Sequence, residues 1–186
     1  RFKNKKIIFS LGRFIYYKGF EYLIESAEYL PDNYVILLGG DGELKEKYEN
    51  LIKRKKLSDK VFLTGKIPQK EIGSYYKACD LFCLPSIAKS EAYGIVMIEA
   101  MSFGKPVVAT KIKGSGTDWV NQDGITGLNV NPEDAEQLAK AFQTILENPA
   151  MYQKFSENAH HRYLNEFTIE TEIEKLIKVY RTIINN

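Results

Sequence analysis

From residue 7 to residue 110, short apolar runs of strand type alternate with stretches of helical spacing, and this alternation is what most restricts the fold. Ile7-Ile8-Phe9-Ser10-Leu11 is closed by Gly12, and an amphipathic stretch runs from Gly19 to Leu30. Tyr34 to Leu38 is broken by Gly39-Gly40-Asp41-Gly42, and residues 43 to 56 put Leu44, Tyr48, Leu51 and Ile52 on one helical face. Val61 to Thr64, Leu81 to Leu84 and Val107 to Thr110 continue the series, with helices predicted near 69 to 78 and 94 to 103. Strands this short, apolar throughout and joined by helices specify a parallel sheet covered on both faces, the doubly wound, Rossmann-like α/β class. After residue 120 the alternation stops. Gly124 and Gly127 punctuate a short segment, and helical stretches near 133 to 147, 150 to 164 and 169 to 184 predict an all-helical tail. With no internal repeat or linker, residues 1–186 are read as one domain.

Composition narrows the class. The 186 residues are 44% apolar and 27% charged, enough for a full core without disulfides or a structural metal. Lys plus Arg is 26 against 24 for Asp plus Glu, too even a balance for charge alone to indicate a nucleic-acid partner, so any anion site has to be local. The basic run Lys53-Arg54-Lys55-Lys56 ends a predicted helix, where cations complement the dipole, and it reads as a solvated face before it reads as a membrane patch. Cys79, Cys83, His160 and His161 form no zinc spacing, and two sparse thiols fit a reducing compartment. No apolar stretch reaches the length of a membrane span. The chain begins at Arg1 rather than Met, which is read as the mark of a longer protein.

In a doubly wound fold, ligands bind at the carboxyl ends of the strands. The first strand end supplies Gly12-Arg13 and then Lys18-Gly19, a flexible backbone with a bidentate and a point cation, suited to a phosphate or diphosphate. Exposed surface residues would give the same pattern, so the later loop has to decide. Gly94 to Phe103 is apolar nearly all round, which predicts a buried helix, yet it contains Glu99. A buried carboxylate needs a partner, either a cation or the hydroxyls of a ligand. Glu91 precedes the same helix and is expected to project into the same crevice. Between the two carboxylates, the amides of Gly94, Ile95 and Val96 offer unpaired N–H groups and a positive dipole end to an anion.

Taken together, Gly12-Arg13 to Lys18-Gly19, Gly40-Asp41-Gly42, the Glu91 to Glu99 pair, Glu99-Ala100-Met101 to Gly104-Lys105-Pro106-Val107-Val108-Ala109, and Gly124 to Gly127 resemble a known family. It is the C-terminal, donor-binding domain of the GT-B glycosyltransferases of family 4, often called glycosyl transferases group 1, and the resemblance covers about residues 6 to 184. It implies that Arg13 and Lys18 bind the donor diphosphate, that Glu91 faces the donor sugar and that Glu99 takes the ribose hydroxyls. It also places the nucleotide base against Lys66 and Ile67, with Gly40 in the same site. Two departures stand out. The loop Lys113-Gly114-Ser115-Gly116-Thr117-Asp118-Trp119-Val120 lacks the family's usual Gly-Gly pair and following Glu, so Asp118 receives no donor role. The N-terminal acceptor domain that completes the family's active site is not in this chain.

The resemblance implies transfer of a sugar from a nucleoside diphosphate, UDP or GDP, with retention of configuration, to an acceptor glycan, lipid-linked sugar or other small acceptor bound through the other domain. Glycan or cell-surface polysaccharide synthesis is the implied setting, with the isolated domain inactive. Charge on the leaving diphosphate must be stabilised by a metal or by fixed cations. No Asp-x-Asp occurs in the chain, so Arg13, Lys18 and the helix end at Gly94 to Val96 are assigned that role, and no metal or other cofactor is expected. The expected location is cytoplasmic, with peripheral contact at the inner face of the membrane open to the full-length protein. Two rivals keep the fold: a sugar-nucleotide binding module without catalysis, and a GT-B nucleotide-sugar epimerase. A Rossmann dehydrogenase is disfavoured, because Gly40-x-Gly42 runs on to Lys45 where the third glycine of its fingerprint would stand.

Overall fold

The computed structural model describes residues 2–184. Six strands, β1 (Lys6–Leu11), β2 (Tyr34–Gly39), β3 (Val61–Gly65), β4 (Leu81–Leu84), β5 (Val107–Thr110) and β6 (Gly127–Val130), form one parallel sheet in the order β3-β2-β1-β4-β5-β6. The doubly wound expectation holds. Successive strand residues point to opposite faces, and both faces are covered. Ile8, Ile36, Cys83 and Val108 pack on one side with residues of α1 (Phe20–Ser26), α2 (Lys45–Arg54) and α6 (Ala135–Leu146). Phe9, Leu37, Phe82 and Ala109 pack on the other with α3 (Gln69–Ala78), α4 (Ile95–Ser102) and α7 (Pro149–Glu166).

The strand order reverses between β1 and β4, and that reversal creates the crevice. Only Ile8↔Leu81 and Phe9↔Phe82 pair across it. Beyond them the Ser10 hydroxyl donates to the Cys83 carbonyl at 2.7 Å, so a side chain bridges the two strands as they part. The loops after β1 and β4 therefore face each other over a gap.

The helix predicted from Gly19 to Leu30 starts only at Phe20, because Gly19 lies outside it at φ 62°, and it divides into α1 and a 3-10 turn at Ala27–Tyr29. The three helical stretches predicted for the tail are present at Ala135–Leu146, Pro149–Glu166 and Ile169–Ile184. The correction concerns the segment before them, where the sequence announced neither the short helix α5 (Thr117–Val120) nor the strand β6. Gly127-Leu128-Asn129-Val130 carries no strand periodicity of its own, and long-range contacts supply its order. The Asn121 side-chain amide donates to the carbonyls of Val107 and Leu128 and to Asn129 Oδ1, and Asn129 returns a bond to the Asn121 carbonyl. A Cβ at Gly127 would overlap the Val107 backbone, so only glycine lets β6 lie this close to β5. The final helix α8 (Ile169–Ile184) buries none of its residues against the rest of the chain and leaves Ile169, Leu176, Tyr180 and Ile183 more than half exposed.

Cys79 and Cys83 are both free and buried. Burial pushes the Cys79 thiol up to about 12 and holds Cys83 well above its ordinary value, so neither forms appreciable thiolate near neutrality. The folded chain at pH 8 should therefore resist iodoacetamide, and both sites should be alkylated in denaturant. Rapid modification without unfolding, read by mass spectrometry, would contradict this packing.

Candidate functional site

The crevice is assembled by two loops that touch. After β1, Gly12 extends the ladder by donating to the Gly39 carbonyl at 3.0 Å, and the chain then turns through a 3-10 segment at Tyr16–Lys18. Gly19 follows in the left-handed region, and a Cβ there would overlap the Pro85 carbonyl at the end of β4. Ile87 N donates to the Tyr17 carbonyl at 2.8 Å, which closes the contact. Glycine at 19 thus serves both the backbone turn and the approach of the second loop.

That approach delivers Lys18 to Glu91, with Nζ 2.5 Å from Oε2. The two residues are only 9% and 7% exposed, so the pair is largely withdrawn from water. A buried ion pair is tolerated when hydrogen bonds take up its remaining valences. Here the Ser86 hydroxyl donates to the same Glu91 oxygen at 2.8 Å, the Thr110 hydroxyl donates to the Ser86 carbonyl, and the Ser115 hydroxyl donates to the Glu91 carbonyl. Gly116 N donates to the Ala92 carbonyl at 2.8 Å, so the loop after β5 clamps the segment that carries Glu91. Lys18 keeps donor capacity beyond its bond to Glu91, since an ammonium has three N–H groups.

A pocket of about 340 Å³ opens beside this pair, lined by Lys18, Glu91, Tyr93, Gly94, Ile95 and Val96. Helix geometry leaves the first amides of α4 without intrahelical acceptors, and Gly94, at φ 76°, turns the chain into that helix. A larger cleft of about 830 Å³ is lined by Gly12, Arg13, Gly40, Asp41, Gly42, Lys66, Ile67 and Ile72. The two adjoin, because a Cβ on Gly12 would come within 3.4 Å of Lys18 Cε. Arg13 is exposed and makes no ion pair among the described residues. Gly12, Arg13, Gly40, Lys66 and Ile67 therefore share one cavity, and Lys18, Glu91, Gly94, Ile95 and Val96 share its neighbour.

Glu99 lies one turn beyond Ile95, and residues four apart share a helix face. Its partner is not a cation: the Tyr76 hydroxyl donates to Glu99 Oε2 at 2.8 Å. The structural ion pair that a lone buried carboxylate would suggest is absent among the described residues. The prediction of a wholly buried α4 is also corrected. Met97, Ala100 and Met101 are buried, but Ile95 is 65% exposed, because the first turn stands where the strand ends splay apart. Asp118 is exposed on α5, and desolvation raises its carboxyl, with Lys111 opposing and Asp123 adding to the shift.

Sequence reasoning missed Tyr76, Ser86, Thr110 and Ser115. Ser86 had a positional signal, since it stands two residues beyond the end of β4. Tyr76 had none, because only the packing of α3 against α4 brings it to Glu99.

Parallel strands in this order, with cations, glycines and a helix N-terminus gathered where the order reverses, define a doubly wound α/β domain with its ligand crevice at the switch point. Comparison with known proteins narrows the class. The family profile described as glycosyl transferases group 1 matches residues 1–162, and the chain belongs to that family. The O-antigen chain mannosyltransferase C of Escherichia coli is 30% identical over 178 residues, which are 95% of this chain and 46% of that protein. The alpha-D-kanosaminyltransferase of Streptomyces kanamyceticus is 30% identical over 183 residues, covering 97% and 46%. Among solved structures, Anabaena Alr3699/HepE in complex with UDP superposes with a TM-score of 0.88 at 26% identity, covering 97% of this chain and 50% of that one. The C-terminal domain of a group 1 glycosyl transferase, LpcC from Francisella tularensis, shares the fold with a TM-score of 0.79 at 23% identity, over 88% of this chain and 87% of that one. The fold is thus that of GT-B glycosyltransferases, and the chain spans about half the length of the curated relatives it matches.

Proposed function

We propose that this chain is the donor-binding half of a glycosyltransferase that uses a nucleoside-diphosphate sugar in glycan or cell-surface polysaccharide synthesis. The observation that carries the reading is the meeting of Lys18 and Glu91 beside the open first turn of α4, with Arg13 in the adjoining cleft and in no ion pair among the described residues. The diphosphate lies between Arg13, Lys18 and the amides of Gly94, Ile95 and Val96, the base against Lys66 and Ile67 with Gly40 below it, and the ribose at Glu99. The UDP complex of HepE supports a nucleotide in a fold of this kind.

The sugar then sits at Glu91. In the transfer itself, the acceptor oxygen bonds to the anomeric carbon as the bond to the β-phosphate oxygen breaks. The bonding pair leaves with the diphosphate, and the acceptor hydroxyl proton passes to a phosphate oxygen on the same face, so configuration is retained. The fixed cations and the helix end hold the charge that develops on the leaving group. The acceptor, a glycan, lipid-linked sugar or other small molecule, is held by a second half of the protein, which supports expecting binding without turnover from this chain alone. No helix among the described residues is long and apolar enough to cross a membrane. The full-length protein works in the cytoplasm, where it can meet the inner face of the membrane peripherally.

Calorimetry with UDP, GDP, ADP and their sugars, with and without EDTA, tests the reading. Weak binding of at least one of them is expected, unchanged by EDTA. An absolute requirement for magnesium or manganese would overturn the assignment of the charge to Arg13, Lys18 and α4. Failure of every nucleotide to bind would overturn the donor site itself. Product analysis of the full-length protein separates transfer from epimerisation.

A further inference from the structure

Tyr76 is a residue of α3 whose hydroxyl reaches Glu99 on α4. It is 1% exposed, and its ring is held by three aromatic neighbours: Phe9 edge-on at 5.3 Å, Phe82 at 5.6 Å and Phe103 stacked at 5.7 Å. Its one side-chain polar atom emerges from that cage between two acceptors, Glu99 Oε2 at 2.8 Å and the Val96 carbonyl at 3.2 Å. A phenol has a single proton, and the shorter contact to the charged oxygen takes it. Burial and the neighbouring Glu99 charge push the phenol's pKa well above its ordinary value, so the hydroxyl stays a donor at any working pH.

We propose that Tyr76 is a positioning residue for Glu99, and that by fixing the plane of that carboxylate it makes the site prefer ribonucleotides to their 2′-deoxy counterparts. The inference rests on the placement of the ribose at Glu99 proposed above. Oε2 is tethered to a caged ring, while Oε1 has no protein partner among the described residues. A carboxylate held in this way is ready to accept from two neighbouring hydroxyls, and it cannot swing away to recover water when one is missing. Loss of the 2′-hydroxyl then costs the full bond. A carboxylate free to rotate would discriminate less, because it would meet ribose and deoxyribose with the same disorder.

The test is calorimetry on this chain with whichever of UDP, GDP and ADP binds tightest, alongside its 2′-deoxy form. Tyr76→Phe keeps the ring and removes only the hydroxyl, and it should shrink the ribo-to-deoxy affinity ratio by roughly three- to tenfold, about the worth of one hydrogen bond. Tyr75→Phe, on the same helix, should leave the ratio unchanged. Glu99→Asp, which draws the carboxylate back from an intact Tyr76, should shrink it as well. Tyr76→Phe combined with Glu99→Gln should lose no more than Glu99→Gln alone, since residues acting as one unit are not additive. If Tyr76→Phe lowers the melting temperature but leaves the ratio intact, while Glu99→Gln abolishes it, Tyr76 is only a packing residue and the inference fails. Should Tyr76→Phe not fold, a full ratio in Glu99→Asp overturns the inference just as well. If Glu99→Gln itself leaves the ratio untouched, the ribose placement fails instead.

Discussion

Lys18→Ala should weaken diphosphate binding by about 1.5–3 kcal/mol, the worth of a hydrogen bond to a charged group, and should also lower the stability of the empty chain by about 3 kcal/mol. Arg13→Ala should show a similar binding loss with stability changed by no more than about 0.5 kcal/mol. From the sequence the two cations look equivalent, and both would be expected to leave the melting temperature nearly unaltered. The structure separates them. Lys18 is buried against Glu91, so its removal strands a carboxylate with only the Ser86 hydroxyl for support, whereas Arg13 stands in solvent. Urea melts paired with calorimetry on the two variants provide the measurement. Equal stability in both would mean that the Lys18–Glu91 pair contributes nothing to the fold, and unchanged binding in both would remove the diphosphate from this site.

The two carboxylates should separate just as clearly. In the full-length enzyme, Glu91→Gln should lower turnover by on the order of 10²-fold, the scale seen when one group that stabilises developing charge is removed. Its effect on the binding of a bare nucleoside diphosphate should be small, because the substitution keeps an oxygen for Ser86 and releases Lys18 from a competing charge. Glu99→Gln should do the reverse and weaken nucleoside binding by about 1.5–3 kcal/mol even for ligands without a sugar. A contact made with the reacting ring acts on kcat, and one made with the nucleoside acts on affinity. Loss of bare diphosphate binding in Glu91→Gln, or a purely thermal effect of Glu99→Gln, would reverse these roles.

Much of this was legible in the sequence because it depends on short-range pattern. Five strands, the helices between them and the reading of a doubly wound sheet follow from runs such as Tyr34 to Leu38, where burial on both faces removes every polar residue. The glycines at 12, 19, 40 and 94 and the charges near them mark loops at strand ends, and such a fold puts its ligand there. Tertiary structure alone decided the rest. β6 exists because Asn121 and Asn129 bind it to β5, and four residues containing a glycine and an asparagine have no periodicity to announce that. Lys18 and Glu91 are far apart in sequence, and so are Tyr76 and Glu99. Nothing local selects a partner over such a span. The sequence determined which residue types wait at the strand ends. The reversal of strand order between β1 and β4, a property of how the whole sheet is wound, determined which of them meet, which remain open to a ligand, and which are already bound to each other.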